Sequence, residues 1–151
     1  LNAFIGQNYG AGKMDRVKKG YRASLITVGV WGLFITLLFV CFPEQISGVF
    51  FHEPTAIATA VGYMIIIGYS EAFMSVELMT VGALSGLGKT HLCSVISITL
   101  TSARIPLAIL LSGTALGLLG IWWALTATSV VKGIVFAMAF YWITARMRNS
   151  K

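Results

Sequence analysis

The chain has 151 residues, 57% of them hydrophobic and 11% charged, with a formal net charge of +6 and a mean hydropathy of +0.84. A soluble domain of this composition would leave a large apolar surface in water, so a bilayer is the solvent the sequence demands. A nucleic-acid partner is set aside as well, because the cations are confined to turns and tail on one side of the apolar stretches, where anionic lipid headgroups account for them.

Leu1 to Ile5 reads as the end of an earlier apolar segment, and the chain opens on Leu1 rather than Met, so it is expected to be a piece of something longer. Residues 1–22 are expected to hold that helix end and a basic loop with Lys13, Arg16, Lys18, Lys19 and Arg22. The first span, 23–42, is uncharged and long enough to cross a hydrocarbon core of roughly 30 Å, and Pro43 stops it. The connection from Pro43 to Pro54 holds Glu44, His52 and Glu53 but no Lys or Arg. The second span, 55–87, is too long for an upright crossing and must tilt, bend or project, with Gly62, Gly68 and Gly82 as yielding points. Lys89 follows in the next turn. The third span, 92–111, carries Pro106, which is expected to kink it. The fourth, 116–145, has Trp122 and Trp123 at one interface and Tyr141 and Trp142 at the other, and a basic tail, 146–151, contains Arg146, Arg148 and Lys151. Basic and non-basic turns alternate. The expectation is an all-α multi-pass membrane protein with four transmembrane helices, the basic side and both ends of the segment in the cytoplasm.

Small residues recur four apart in Gly6 to Gly10, Gly82 to Gly86 and Gly113 to Gly117, which reads as packing and boundary signals. Ala83-Leu84-Ser85-Gly86-Leu87-Gly88-Lys89-Thr90 matches a relaxed phosphate-loop pattern, but an apolar helical stretch rather than a strand precedes it, so it reads as a helix stop followed by an inner-side Lys. Cys41 and Cys93 fall at opposite membrane sides and form no disulfide framework. No catalytic set stands out: His52 and His91 lie in turns on opposite sides, no Cys/His spacing suits a metal, and no Ser has a nucleophile-elbow context.

Ionisable residues inside the spans carry more information, since a charge near the bilayer centre costs at least about 2.5 kcal/mol and needs a partner or a wet cavity. Glu71 and Glu77 lie in the second span, Arg104 in the third and Lys132 in the fourth. Counted inward from the turns, Glu71 and Lys132 share a depth and are expected to meet. Glu71 and Glu77 stand roughly 240° apart on a helix and so have different roles. Arg104 and Lys132 suit either static helix pairing or function; the carboxylates suit binding of a proton or sodium ion. Tyr63, Tyr69 and Phe73 are near Glu71 in sequence, and Tyr69 and Phe73 are expected on its side, where aromatic rings would suit lipophilic cations.

Four local patterns resemble the multidrug and toxic compound extrusion (MATE) family. Phe4-Ile5-Gly6-Gln7-Asn8-Tyr9-Gly10-Ala11-Gly12 resembles its Gly-Gln-x-x-Gly-Ala signature at the inner end of the second helix of each half. Gly82 to Thr90, with Gly86 and Gly88, is similar to the Gly-x-Leu-x-Gly-x-Gly-x-Thr stretch that ends the fourth helix of a half, although the family often has Arg where Ser85 stands. Arg104-Ile105-Pro106-Leu107-Ala108 and Gly117 to Ala124 resemble patterns of the two helices that follow. The resemblance implies the end of a six-helix half, C-terminal, in a twelve-helix transporter whose N-terminal part is missing here. It also implies antiport, with no cofactor: H+ or Na+ drives export of amphipathic or cationic small molecules across a plasma membrane, a bacterial inner membrane being the expected setting. Members commonly place an acidic residue in the helix matching the second span, a role Glu71 or Glu77 would fill. A lipid-linked sugar flippase of the same superfamily, with Arg104 and Lys132 meeting a phosphate, and a non-transporting membrane scaffold are the competing readings.

Overall fold

The structure, a computed structural model, describes residues 1–149. Of the expected basic tail, Lys151 and the side chain of Arg148 lie outside the described residues. The regular elements among those described are all α-helices: α1 (Asn2–Gly10), α2 (Met14–Cys41), α3 (Pro43–Phe50), α4 (Pro54–Gly86), α5 (Thr90–Ser112) and α6 (Leu118–Asn149). α2, α4, α5 and α6 are each long and apolar enough to cross a membrane, and their lengths of 28, 33, 23 and 32 residues correspond to roughly 35–50 Å at about 1.5 Å per residue. The protein is therefore an all-helical, multi-pass membrane protein.

α4 and α6 run side by side in the same direction. Gly62 faces Trp122, the Thr126 hydroxyl donates to the carbonyl of Ile66 at 2.9 Å, and Gly133 faces Phe73. The register offset is constant along the pair. α2 packs against α4 and α5 packs against α6, with no contact between α2 and α5, so the four long helices form a row in the order α2, α4, α6, α5. Glycine permits close approach in this row: a Cβ on Gly133 would stand 2.7 Å from the carbonyl oxygen of Phe73, and one on Gly32 2.7 Å from the Cα of Ala72. Hydroxyls from both flanks enter the same stretch of α4, Thr36 donating to the Gly68 carbonyl at 2.8 Å and Thr126 to that of Ile66.

The core is concentrated at the end where the basic residues gather. Ile5, Val17, Tyr21, Ala83, Leu84, Leu87, Cys93, Phe136, Phe140 and Ile143 form one buried cluster. Within it the Tyr21 ring stacks on Phe140 at 3.7 Å between centroids, and its hydroxyl lies 2.8 Å from that of Thr80. The outer faces of α2 and α5 present Ile26, Val30, Trp31 and Leu33, and Ile98, Ile105, Ile109 and Leu110, to the outside, as lipid-facing surfaces do.

Two expectations change here. The basic loop expected over 13–22 is helical from Met14 onward, because Val17 and Tyr21, four residues apart, turn inward into the core while Arg16, Lys19 and Arg22 stay exposed. Charge marked a polar face rather than a loop. The connection after the first span also contains a helix, α3, with Pro43 at its first position and Glu44 in its first turn. α5 continues through Pro106 to Ser112.

Candidate functional site

Three of the four ionisable residues at membrane depth, Glu77, Arg104 and Lys132, fall on one seam where α4, α5 and α6 meet. Lys132 is only 9% exposed, and its Nζ lies 2.6 Å from Glu77 Oε1 on α4 while donating to Thr101 Oγ1 on α5 at 3.3 Å. One helical turn along α5, Arg104 donates from Nε to Thr128 Oγ1 at 2.8 Å and from its terminal guanidinium nitrogen to Ser129 Oγ at 3.1 Å. The Thr128 hydroxyl in turn donates to the Ala124 carbonyl at 2.7 Å. α5 and α6 run antiparallel, so Thr101 and Arg104 on one match Lys132 and Thr128 on the other as two successive rungs. The lower rung is an ion pair. The upper rung is a guanidinium held by hydroxyls with no carboxylate among the described residues, which leaves the seam with excess positive charge.

Glu71 is not part of this seam. The shared depth with Lys132 led to the expectation that they meet, but Lys132 pairs with Glu77 instead. The reason is angular: Phe73 faces α6 and Ala72 faces Gly32 of α2, which turns Glu71 roughly 200° away from Phe73. Glu71 is half-buried and makes no hydrogen bond or ion pair to another described residue. Tyr69 and Phe73 likewise do not flank it. Tyr69 stacks on Trp123 of α6 with ring centroids 6.4 Å apart, and Tyr63 meets Trp122 edge-on at 5.7 Å, so these aromatics join α4 to α6.

Sequence reasoning passed over the hydroxyls of Thr101, Thr128 and Ser129. Their signal was available as spacing: Thr101 lies three residues before Arg104, and Thr128 and Ser129 lie four and three before Lys132, so each shares a helix face with the cation of its own helix and meets the cation of the facing one.

The motif glycines do structural work at the basic end. A Cβ on Gly86 would stand 2.6 Å from the Asn2 carbonyl oxygen and 3.0 Å from Ile5, so α1 and α4 touch backbone to backbone there, with Gly6 on the other side of the contact. Gly12 and Gly88 both adopt φ of +72° and close the same cap, with Lys13 and Lys89 N–H donating to the carbonyls of Asn8 and Leu84 and the two glycine N–H groups to Tyr9 and Ser85. Gly10 and Gly82 face open space, Gln7 and Ala11 are exposed, and Gly117 forms a turn with φ of +50°.

A family model described as MatE matches residues 1–110, which includes both capped motifs and the ion-paired part of α4. The chain belongs to the MatE family. MatE proteins are membrane transporters, and two curated relatives share nearly the whole length of this chain. The probable multidrug resistance protein NorM of Pseudomonas aeruginosa is 31% identical over 150 residues, 95% of the chain. The protein of the same name from Thermotoga maritima is 25% identical over 142 residues, 93% of the chain. The chain spans 31% of the length of each of these relatives. Within the MatE match, Gly6, Gly86 and the twin glycine caps are the positions whose geometry accounts for the residue type.

Proposed function

We propose that this chain forms part of a secondary antiporter that exports amphipathic or cationic small molecules in exchange for H+ or Na+, with Glu71 as the residue that binds the coupling ion. The observation that supports it is the inequality of the two carboxylates at membrane depth. Glu77 is neutralised by Lys132 at 2.6 Å, whereas Glu71 meets no cation among the described residues. A carboxylate already held by an ammonium has little to gain from another cation; an open one at depth is destabilised as an anion and gains most from a proton or sodium ion. In this reading the membrane is the plasma membrane, both ends of the segment lie in the cytoplasm, and the rest of the transporter completes the translocation pathway.

The test is efflux of a cationic dye by the natural-length protein under imposed proton or sodium gradients. Glu71→Gln is expected to abolish gradient-dependent efflux while membrane expression persists; unchanged efflux removes Glu71 from the role. A second reading, a lipid-linked sugar flippase, draws on one specific feature. Arg104, which meets no carboxylate among the described residues, contacts Thr128 at the edge of an apolar groove of about 320 Å³ lined by Leu100, Ala103, Leu107 and Val131. Loss of lipid-sugar translocation in Arg104→Gln, with drug resistance unchanged, would favour that reading.

A further inference from the structure

At the basic end, a cavity of about 580 Å³ opens between the turn after α1, the start of α5 and the end of α6. Its chemistry is divided. Lys89, on the α4–α5 turn, and Arg146, near the end of α6, supply two exposed cations, and no carboxylate among the described residues lines it. Leu92, Ile143 and Met147 supply an apolar floor, and Trp142, 61% exposed, stands beside them with the Arg146 guanidinium 5.4 Å from its ring centre. The helix order puts this cavity at the membrane surface, because α4 arrives at this end, α5 leaves from it and α6 returns to it.

We propose that this cavity is a seat for one anionic phospholipid, its phosphate held between Lys89 and Arg146 and the upper part of its acyl chains lying on Leu92, Ile143 and Trp142. Two cations alone would suit any anion, since guanidinium and ammonium groups both recognise phosphate. The apolar floor selects among the sources. A free phosphate would leave Leu92, Ile143 and Met147 in contact with water, whereas a lipid covers them with hydrocarbon and places its headgroup at the depth where Trp residues settle. Trp142 also holds Arg146 in position from one side, which leaves the guanidinium edge free for the phosphate. The seat requires that the chain span a membrane and is independent of which carboxylate couples transport.

The experiment is native mass spectrometry of the natural-length protein in detergent, titrated with dioleoyl phosphatidylglycerol or dioleoyl phosphatidylcholine. The wild type should retain one phosphatidylglycerol on the order of ten times more tightly than phosphatidylcholine. Lys89→Ala with Arg146→Ala should remove that preference. Arg16→Ala with Lys19→Ala, which deletes two exposed cations of α2 outside the cavity, should keep it. Lys89→Arg with Arg146→Lys preserves both charges and should also keep it, which separates loss of the seat from loss of folding. An undiminished preference in the alanine pair overturns the proposal. So does a wild type that does not distinguish the two lipids, as it would if another part of the natural protein filled the cavity, or displacement of phosphatidylglycerol by millimolar inorganic phosphate, which would mark a site for free anions.

Discussion

Lys132 illustrates how a buried charge depends on a single partner. Its ammonium is enclosed with Glu77, the two side chains 11% and 14% exposed, and removing either one strands the other charge in a medium that cannot hydrate it. Lys132→Met is therefore expected to destabilise the protein by about 3 kcal/mol, read as a lower midpoint in thermal unfolding in detergent. Combining it with Glu77→Leu should recover most of the loss, because an apolar pair of similar volume leaves no buried ion behind. A double variant no better than the single one would show that the pair organises the seam beyond cancelling charge. At this scale the sequence located the ionisable residues at depth but was uninformative about how they pair. Depth can be counted from the turns, so Glu71 and Lys132 looked level. Direction cannot be counted the same way, because it depends on which face of α4 meets α6, and that is fixed by the glycine contacts of Gly133 with Phe73 and of Gly32 with Ala72.

The helices themselves were easier to read than their ends. Long apolar stretches gave the four crossings because hydrocarbon permits little else than a helix with its own hydrogen bonds satisfied. The N-terminal start of α2 was obscured by five cations that suggested a loop, and α3 by a Pro that ends one helix and begins the next. Glycine placement gives sharper tests. Gly86→Leu should force α1 off α4, since even a Cβ there would meet the Asn2 backbone at 2.6 Å; the measurement is accelerated protease cleavage in the α1–α2 turn. Gly88→Ala meets no neighbour but must hold φ of +72°, so it should cost about 1 kcal/mol with no change in cleavage pattern. The same substitution at Gly82, which faces open space, should be neutral or slightly stabilising in the same unfolding assay.

For the whole molecule, charge is divided between its two ends: Lys13, Arg16, Lys18, Lys19, Lys89 and Arg146 gather at one, and Glu44 and Glu53 at the other. The expected orientation follows from this asymmetry. In a background with Cys41 and Cys93 replaced by Ala, His52→Cys should react with a membrane-impermeant maleimide on intact cells, and Lys13→Cys only after permeabilisation. The reverse pattern would invert the topology. Packing is as unequal as charge. Nearly all of the buried cluster, the α1–α4 backbone contact and both glycine caps belong to the basic end, whereas the far end is joined by separate pairwise contacts such as Thr36 with Gly68 and Tyr63 with Trp122. The row is therefore expected to behave like tongs riveted at the handle, spreading more readily at the far tips than at the basic end. Spin labels at Gln45 and Leu110 should give a broad distance distribution, and labels at Arg16 and His91 a narrow one.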